Sequence, residues 1–277
     1  METDYLRSII LDFIATNDSS VSVTTGHQAH ALFLNLIEQA DPALNKRLHN
    51  EPGYRPFTVS ALMGVTSPEG NRLVLRQGCS YQLRVTLLDG GQLWHCITNR
   101  FLEGNVRLRL GKAELQLKSI VSNPSSDRTG WTSFTDWHSL ATNKAYSSIT
   151  LRFTSPTAFS LGHRHFVLFP QPVLIWESLI RVWNNYAPHS LRIEKENLQD
   201  FIQRNVNMSE CNLSTATLHF PHYLQKGFVG TCTFAIDVQN DFASQLSALA
   251  KFARYSGVGY KTTMGMGQVC IERYKSR

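Results

Sequence analysis

Residues 255–269 read YSGVGYKTTMGMGQV, with glycines at 257, 259, 265 and 267 around a single lysine, Lys261. What flanks this loop decides what it is. A Walker-type phosphate loop leaves a strand, opens a helix and reads GxxxxGK[ST]. Here the preceding segment, Asp241 to Tyr255, carries Phe242, Leu246, Leu249 and Ala253 on one helical face, and the following Gln268 to Tyr274 reads as a strand. The dinucleotide pattern GxGxxG fails too, because Thr262 stands where its third glycine belongs. A glycine-rich passage from helix to strand is neither nucleotide cradle. It closes a unit in which strands and helices alternate.

Working back from the loop, Ser148–Phe153 reads as a strand, Val173–Asn185 as a helix, and Thr215–Phe220 with Gly230–Val238 as paired strands. Ser122–Gly130 (SNPSSDRTG) is a polar linker by composition. The same rhythm precedes it. Tyr5–Ile14 is a buried strand, and Ala29, Leu32, Phe33, Leu36, Ile37 and Ala40 make His27–Ala40 an amphipathic helix. Asp41-Pro42 supplies a cap and a first-turn proline for a short helix to His49. Strands at Phe57–Met63, Arg72–Leu75 and Tyr81–Leu87, a helix over Gln92–Glu103 and a strand pair around Val106–Ile120 follow. The expected fold is α+β, two βαββαβ ferredoxin-like domains in tandem, one over residues 1–122 and one over 131–277.

Composition is that of a globular protein: 277 residues, 42% hydrophobic and 17% charged. No apolar run approaches a membrane span, and Asp4 and Asp12 interrupt the only greasy amino-terminal stretch, so neither an anchor nor a secretory signal is expected. Five scattered cysteines (79, 96, 211, 232 and 270) without a C-x-x-C pair predict free thiols in a cytoplasmic protein. The net charge of +6 leans toward an anionic partner. Part of that charge is clustered: eight Lys/Arg against three acids between Arg72 and Lys118.

Arg107 and Arg109 alternate with Val106, Leu108 and Leu110, which puts both guanidiniums on one strand face. Arg72 and Arg76 flank Leu73–Leu75 in the same way. The bland reading is a solvated face, and the repeated device favours phosphate contact. KGFVGTCTF (226–234) matches an RNA-recognition signature at Lys226, Gly227, Phe228 and Phe234 and fails in the middle; an ordinary core strand is the favoured reading. Among ten histidines, His30 on the first helix and His49 at the end of the second can converge, because helices joined by a short turn pack as neighbours. Arg47 and Arg55 lie nearby in sequence. No DxD, HExxH or G-x-S-x-G pattern is present, which disfavours a metal-dependent nuclease or an acyl-transfer serine.

Three stretches together resemble one family: RLHNEPGYRPFTVSAL (47–62), RFTSPTAFSLGHRHFVLFPQPVLIWESLIRVWNNYAP (152–188) and RYSGVGYKTTMGMGQV (254–269). They are similar to the CRISPR-associated endoribonucleases that cut precursor CRISPR RNA within each repeat, members of the repeat-associated mysterious protein superfamily. The resemblance implies two ferredoxin-like domains and metal-independent, cofactor-free cleavage by the ribose 2′-hydroxyl, leaving a 2′,3′-cyclic phosphate. It implies His49 as catalytic histidine and Arg55 as its basic support. Some relatives carry a tyrosine on the first helix; this chain has none between His27 and Ala40, so that role passes to His30. Gly257, Gly259, Gly265 and Gly267 are then expected to let backbone lie close against RNA phosphates or the first domain, their amides donating to phosphate, with Lys261 as a point charge. Implied partners are CRISPR repeat RNA, precursor and processed, and other effector subunits. A non-catalytic RNA-binding subunit of such an assembly is the alternative, and an RNA-binding module unrelated to CRISPR is a further one.

Overall fold

The computed structural model describes residues 5–50, 53–65, 70–89, 91–142, 144–163, 165–220 and 222–276. The chain divides into two compact units, Met1–Phe134 with Thr263–Gly265, and Thr135–Thr262 with Met266–Arg277.

In the first unit the elements are β1 (Tyr5–Ala15), β2 (Ser19–Ser22), α1 (Gly26–Ala40), α2 (Pro42–Asn50), β3 (Phe57–Val59), β4 (Arg72–Leu75), β5 (Ser80–Leu87), α3 (Gln92–Leu102), β6 (Arg107–Leu110) and β7 (Ala113–Val121). The main sheet runs β3-β5-β1-β7-β6, and β2 pairs with β4 in a separate ribbon. β8 (Ser133–Asp136), in which this unit ends, pairs with β1 off that path. The β1–β5, β1–β7, β3–β5 and β6–β7 ladders are all antiparallel. Counting only β1, β3, β5 and β7 gives the order expected for βαββαβ, with β6 added as a hairpin on the edge.

Alternation along β1 buries Ile9, Leu11, Phe13 and Ala15 against the helices. On α1 the spacing of three and four does the same for Ala29, Leu32, Phe33, Leu36 and Ile37. As the sequence predicts, the side chain of Asp41 caps α2, accepting from the Leu44 amide at 2.9 Å. β3 is shorter than the expected Phe57–Met63, since beyond Val59 only an isolated bridge, Met63 to Gln82, continues the pairing.

The stretch 122–130 does not end this unit. Asp127 folds it back on itself, accepting from the Thr129 and Thr132 amides at 2.7 and 2.6 Å. Trp131 then lies under the Arg84 guanidinium, 4.2 Å from it, and its carbonyl accepts from Ser8 Oγ at 2.8 Å. Arg84 is only 2% exposed, so one of the cations counted in the basic stretch is an interior group.

The second unit holds α4 (Trp137–Ala141), β9 (Ser148–Thr157), β10 (Phe159–Ser160), β11 (Phe166–Val167), α5 (Pro172–Tyr186), α6 (Lys195–Asn205), β12 (Val206–Phe220), β13 (Tyr223–Ile236), α7 (Asp241–Ser256) and β14 (Val269–Lys275). Its main sheet is β12-β13-β9-β14, the same order again. Trp176 and Trp183 of α5 fill the core, their indole N–H groups donating to the Leu246 and Leu191 carbonyls. β12 and β13 are much longer than the sequence suggests, pairing from Val206–Ile236 to Phe220–Tyr223 with one register shift between Met208 and Glu210. Both units are therefore ferredoxin-like, as the alternating pattern predicts. Among the described residues, no helix is long and apolar enough to cross a membrane.

Candidate active site

His30 sits beside the apolar stripe of α1 and is half-buried. Its ring stacks on Phe57 at 5.8 Å between centroids, and Phe57 is wedged against Phe33 at 4.8 Å. Its Nδ1 lies 3.1 Å from the carbonyl oxygen of Thr263. Burial is the largest influence on the imidazole and holds its pKa below the usual histidine value. The Thr263 carbonyl opposes that shift, while the positive charges of His27, Arg55 and His49 add to it. His27, Arg55 and His49 thus all act electrostatically on one half-buried imidazole.

His49 is exposed on the last turn of α2, a helix anchored by buried Leu44 and Leu48. The Arg55 Nη2 donates to the His49 carbonyl at 3.2 Å, satisfying a carbonyl that the helix end leaves without an internal partner. Glu51 and Pro52, within the quoted stretch 47–62, lie outside the described residues. Arg47 turns elsewhere and donates to Gln92 at 2.9 Å.

In the glycine loop the bare backbone lies close against protein backbone. Gly257, Gly259, Gly265 and Gly267 all have positive φ, +65° to +84°, which only glycine adopts without strain. Protein backbone takes the space a side chain would need. A Cβ on Gly267 would stand 2.2 Å from the Val258 carbonyl oxygen, and one on Gly259 2.5 Å from that of Ala158. Their amides are engaged as well, donating to Ala253 (Gly257), Ser178 Oγ (Gly259), Val59 (Gly265) and Pro156 (Gly267). Donation from these four amides to phosphate is therefore corrected: close approach of protein to protein is what requires the glycines here.

Sequence reasoning missed Gly26, whose added Cβ would fall 1.9 Å from the Met264 carbonyl oxygen. Thr263 and Phe57 escaped it too, since a backbone acceptor and a core ring leave no pattern that marks a site. Gly26 left a faint one, as a glycine opening a helix that otherwise has good formers.

Lys261 also adopts positive φ, +57°. Its ammonium lies over the rings of Tyr223, Phe220 and Tyr260 at 4.3, 4.4 and 5.3 Å, and burial lowers its pKa. Arg107 and Arg109 are exposed on β6 as alternation predicts. They border a groove of about 490 Å³ that also touches Ala31 and Asn35 of α1, and Arg109 faces Glu114 at 3.8 Å. Arg76 is exposed just past β4 of the separate β2–β4 ribbon, and in that ribbon Arg72 is held by Ser20 through its hydroxyl and carbonyl. The partial RNA-recognition signature is a core strand, with Phe228 and Phe234 at 1% and 0% exposure, so neither ring can stack a base. Among the described residues, no three His, Cys, Asp or Glu side chains are grouped to hold a metal ion.

Comparison with known proteins places this architecture. The CRISPR Cas6 N-terminal domain model matches residues 6–142, and the model for the CRISPR-associated endoribonuclease Cas6 matches 151–269. A Cas6 endoribonuclease of Streptococcus thermophilus is 29% identical over 133 residues, 48% of this chain and 53% of that relative. One from Mycobacterium tuberculosis is 29% identical over 122 residues, 44% of this chain and 38% of its own length. The match thus spans about half the length of the first relative or less. A Cas6 product complex superimposes with a TM-score of 0.80 at 24% identity, covering 97% of this chain and 99% of that one. Thermus thermophilus Cas6 gives 0.72 at 23%, with coverages of 96% and 98%. At such identities these structures establish the fold. The chain belongs to the CRISPR-associated endoribonuclease Cas6 family.

Proposed function

We propose that this chain is a metal-independent endoribonuclease that cuts precursor CRISPR RNA within its repeats. The observation that carries the reading is that Arg55, which donates to the His49 carbonyl, and His49 both act electrostatically on the half-buried imidazole of His30. Internal attack of the ribose 2′-hydroxyl on the adjacent phosphorus needs a proton acceptor, a proton donor for the departing 5′-oxygen, and positive charge near the phosphate. Two histidines can supply the first two, each contributing roughly 10²–10⁴-fold, and Arg55 supplies the third. The product ends are then a 2′,3′-cyclic phosphate and a 5′-hydroxyl. Relatives support RNA as the ligand: Cas6 proteins are known in product and substrate-mimic complexes, and a related RAMP protein binds different RNA substrates. Arg107 and Arg109, beside the groove, are the proposed phosphate contacts; Arg72, Arg76 and Lys261 remain proposed ones, each already engaged or placed apart.

Repeat RNA incubated with the protein in excess EDTA should be cut at one site and end in a cyclic phosphate. Activity lost in EDTA and restored by magnesium would overturn the mechanism. Wild-type protein that binds repeat RNAs and cuts none of them would favour the non-catalytic RNA-binding subunit.

A further inference from the structure

Building on the catalytic reading above, we infer that the glycine loop sets the proton position of His30: the Thr263 carbonyl fixes the Nδ1–H tautomer, which makes Nε2 of His30 the general base. A carbonyl oxygen only accepts, so the 3.1 Å contact requires the proton on Nδ1. In the neutral ring Nε2 is then a bare acceptor, the state a base needs. In water a free neutral imidazole favours the opposite tautomer, with its proton on Nε2, so the protein has to impose this one.

Burial, the largest influence, disfavours the cationic ring and outweighs the Thr263 carbonyl, which favours it. The basic groups near it, His27 from α1, His49 from α2 and Arg55 ahead of β3, act in the same direction as burial, and Phe57 covers a ring face. The contact depends on two bare backbones. Gly265 donates to the Val59 carbonyl at 2.9 Å and would bring a Cβ within 3.1 Å of Gly26 Cα, while Gly26 leaves the Met264 carbonyl room that no side chain could give. Thr263 directly precedes Met264 and Gly265, so its carbonyl is placed by that close packing. It is a positioning residue, acting through His30.

The 2′-hydroxyl proton passes to His30 Nε2 as the 2′-oxygen bonds to phosphorus. The bond from phosphorus to the 5′-oxygen breaks, and that oxygen takes a proton from the cationic imidazole of His49, leaving as a hydroxyl. His30 ends protonated and His49 neutral, and exchange with solvent restores both. The assignment makes His30 the base and His49 the acid.

Nitrogen-15 NMR of histidine-labelled protein, with His30→Ala to assign the signals, reads the tautomer without reference to activity. Neutral His30 should show a protonated Nδ1 and a bare Nε2, and should still be neutral somewhat below pH 6.5, the ordinary histidine value. Gly26→Ala should shift the ring toward the Nε2–H form and slow single-turnover cleavage by at least about 10-fold, with RNA affinity held within a few fold. If Gly26→Ala does not fold, the wild-type spectrum alone decides. A His30 that is Nε2–H, or cationic at pH 7, in a protein that cuts RNA would overturn this inference and leave the function standing. The predicted tautomer in a protein that cuts no repeat RNA would do the reverse.

Discussion

The two units repeat one strand order, β3-β5-β1-β7 in the first and β12-β13-β9-β14 in the second, yet they spend the repeated elements differently. After its first long helix the first unit inserts α2 and a three-residue strand, β3, and places His30, His49 and Arg55 around that insertion. The second unit puts α6 and a fifteen-residue strand, β12, at the same point. Its equivalent of α1, helix α5, carries Trp176 and Trp183 inward and ties its polar Glu177 to Arg181 and Lys195, both at 2.7 Å. Ferredoxin-like topology therefore says nothing by itself about chemistry. What separates the units is the proposed site, carried by only one of them.

Breaking that comparison starts with its largest expected effect. His49→Ala should keep the fold, since the side chain is exposed, and lower the cleavage rate by at least about 10²-fold with RNA affinity within a few fold. His30→Ala should cost as much or less, and the double variant less than the product of the two, because groups acting in one step are not additive. Exposed His219 of the second unit should tolerate alanine with the rate unchanged, provided the site is confined to the first. Equal losses in the two units, measured under single turnover, would erase the contrast.

Gly265→Val comes next. At φ +83° with Ala61 and Gly26 backbone 3.1 Å from its Cβ, valine should cost about 1–3 kcal/mol of stability for the backbone conformation alone, read by thermal or denaturant unfolding. The cleavage site on the RNA should not move. Wild-type stability and activity in Gly265→Val would show the loop to be a simple corner.

Arg107→Ala with Arg109→Ala sharpens the comparison more gently. If each neutralises one phosphate of single-stranded RNA, the slope of log affinity against log salt should fall by about 0.7 per contact. An unchanged slope would make β6 a solvated edge. Lys261→Ala should have the smallest effect, about 0.5–1 kcal/mol of stability from lost ring contacts. A salt slope reduced by Lys261→Ala would instead make that lysine a phosphate ligand.

Much of this was legible in the sequence for identifiable reasons. The stripe of α1, the alternation of β6 and the Asp41-Pro42 start each follow from a local rule that tertiary contacts did not override. Helix α6 could have been found, since Leu198, Phe201 and Ile202 are buried at helical spacing. The length of β12 could not, because Ser209 to Asn212 and Ser214 to Thr215 lie exposed or partly so, without apolar alternation. Cys211 and Cys232 look scattered in sequence, but the β12–β13 hairpin sets them directly opposite, and burial pushes the Cys232 thiol up to about 12. In the site, the residue types were readable and their partners were not. The acceptor on His30 is a backbone carbonyl far along the chain, and two of the rings around Lys261, Phe220 and Tyr223, come from a hairpin tip; neither leaves a mark that spacing can detect.

The most direct test of the central claim uses one altered nucleotide. A repeat RNA carrying a single 2′-deoxy residue immediately 5′ of the scissile phosphate lacks the proposed nucleophile and keeps every phosphate contact. Binding should stay within a few fold of the all-ribose RNA, and no cut should be made at that phosphate under single-turnover conditions. Efficient cutting there would contradict internal attack by the 2′-hydroxyl, and with it the roles given to His30 and His49.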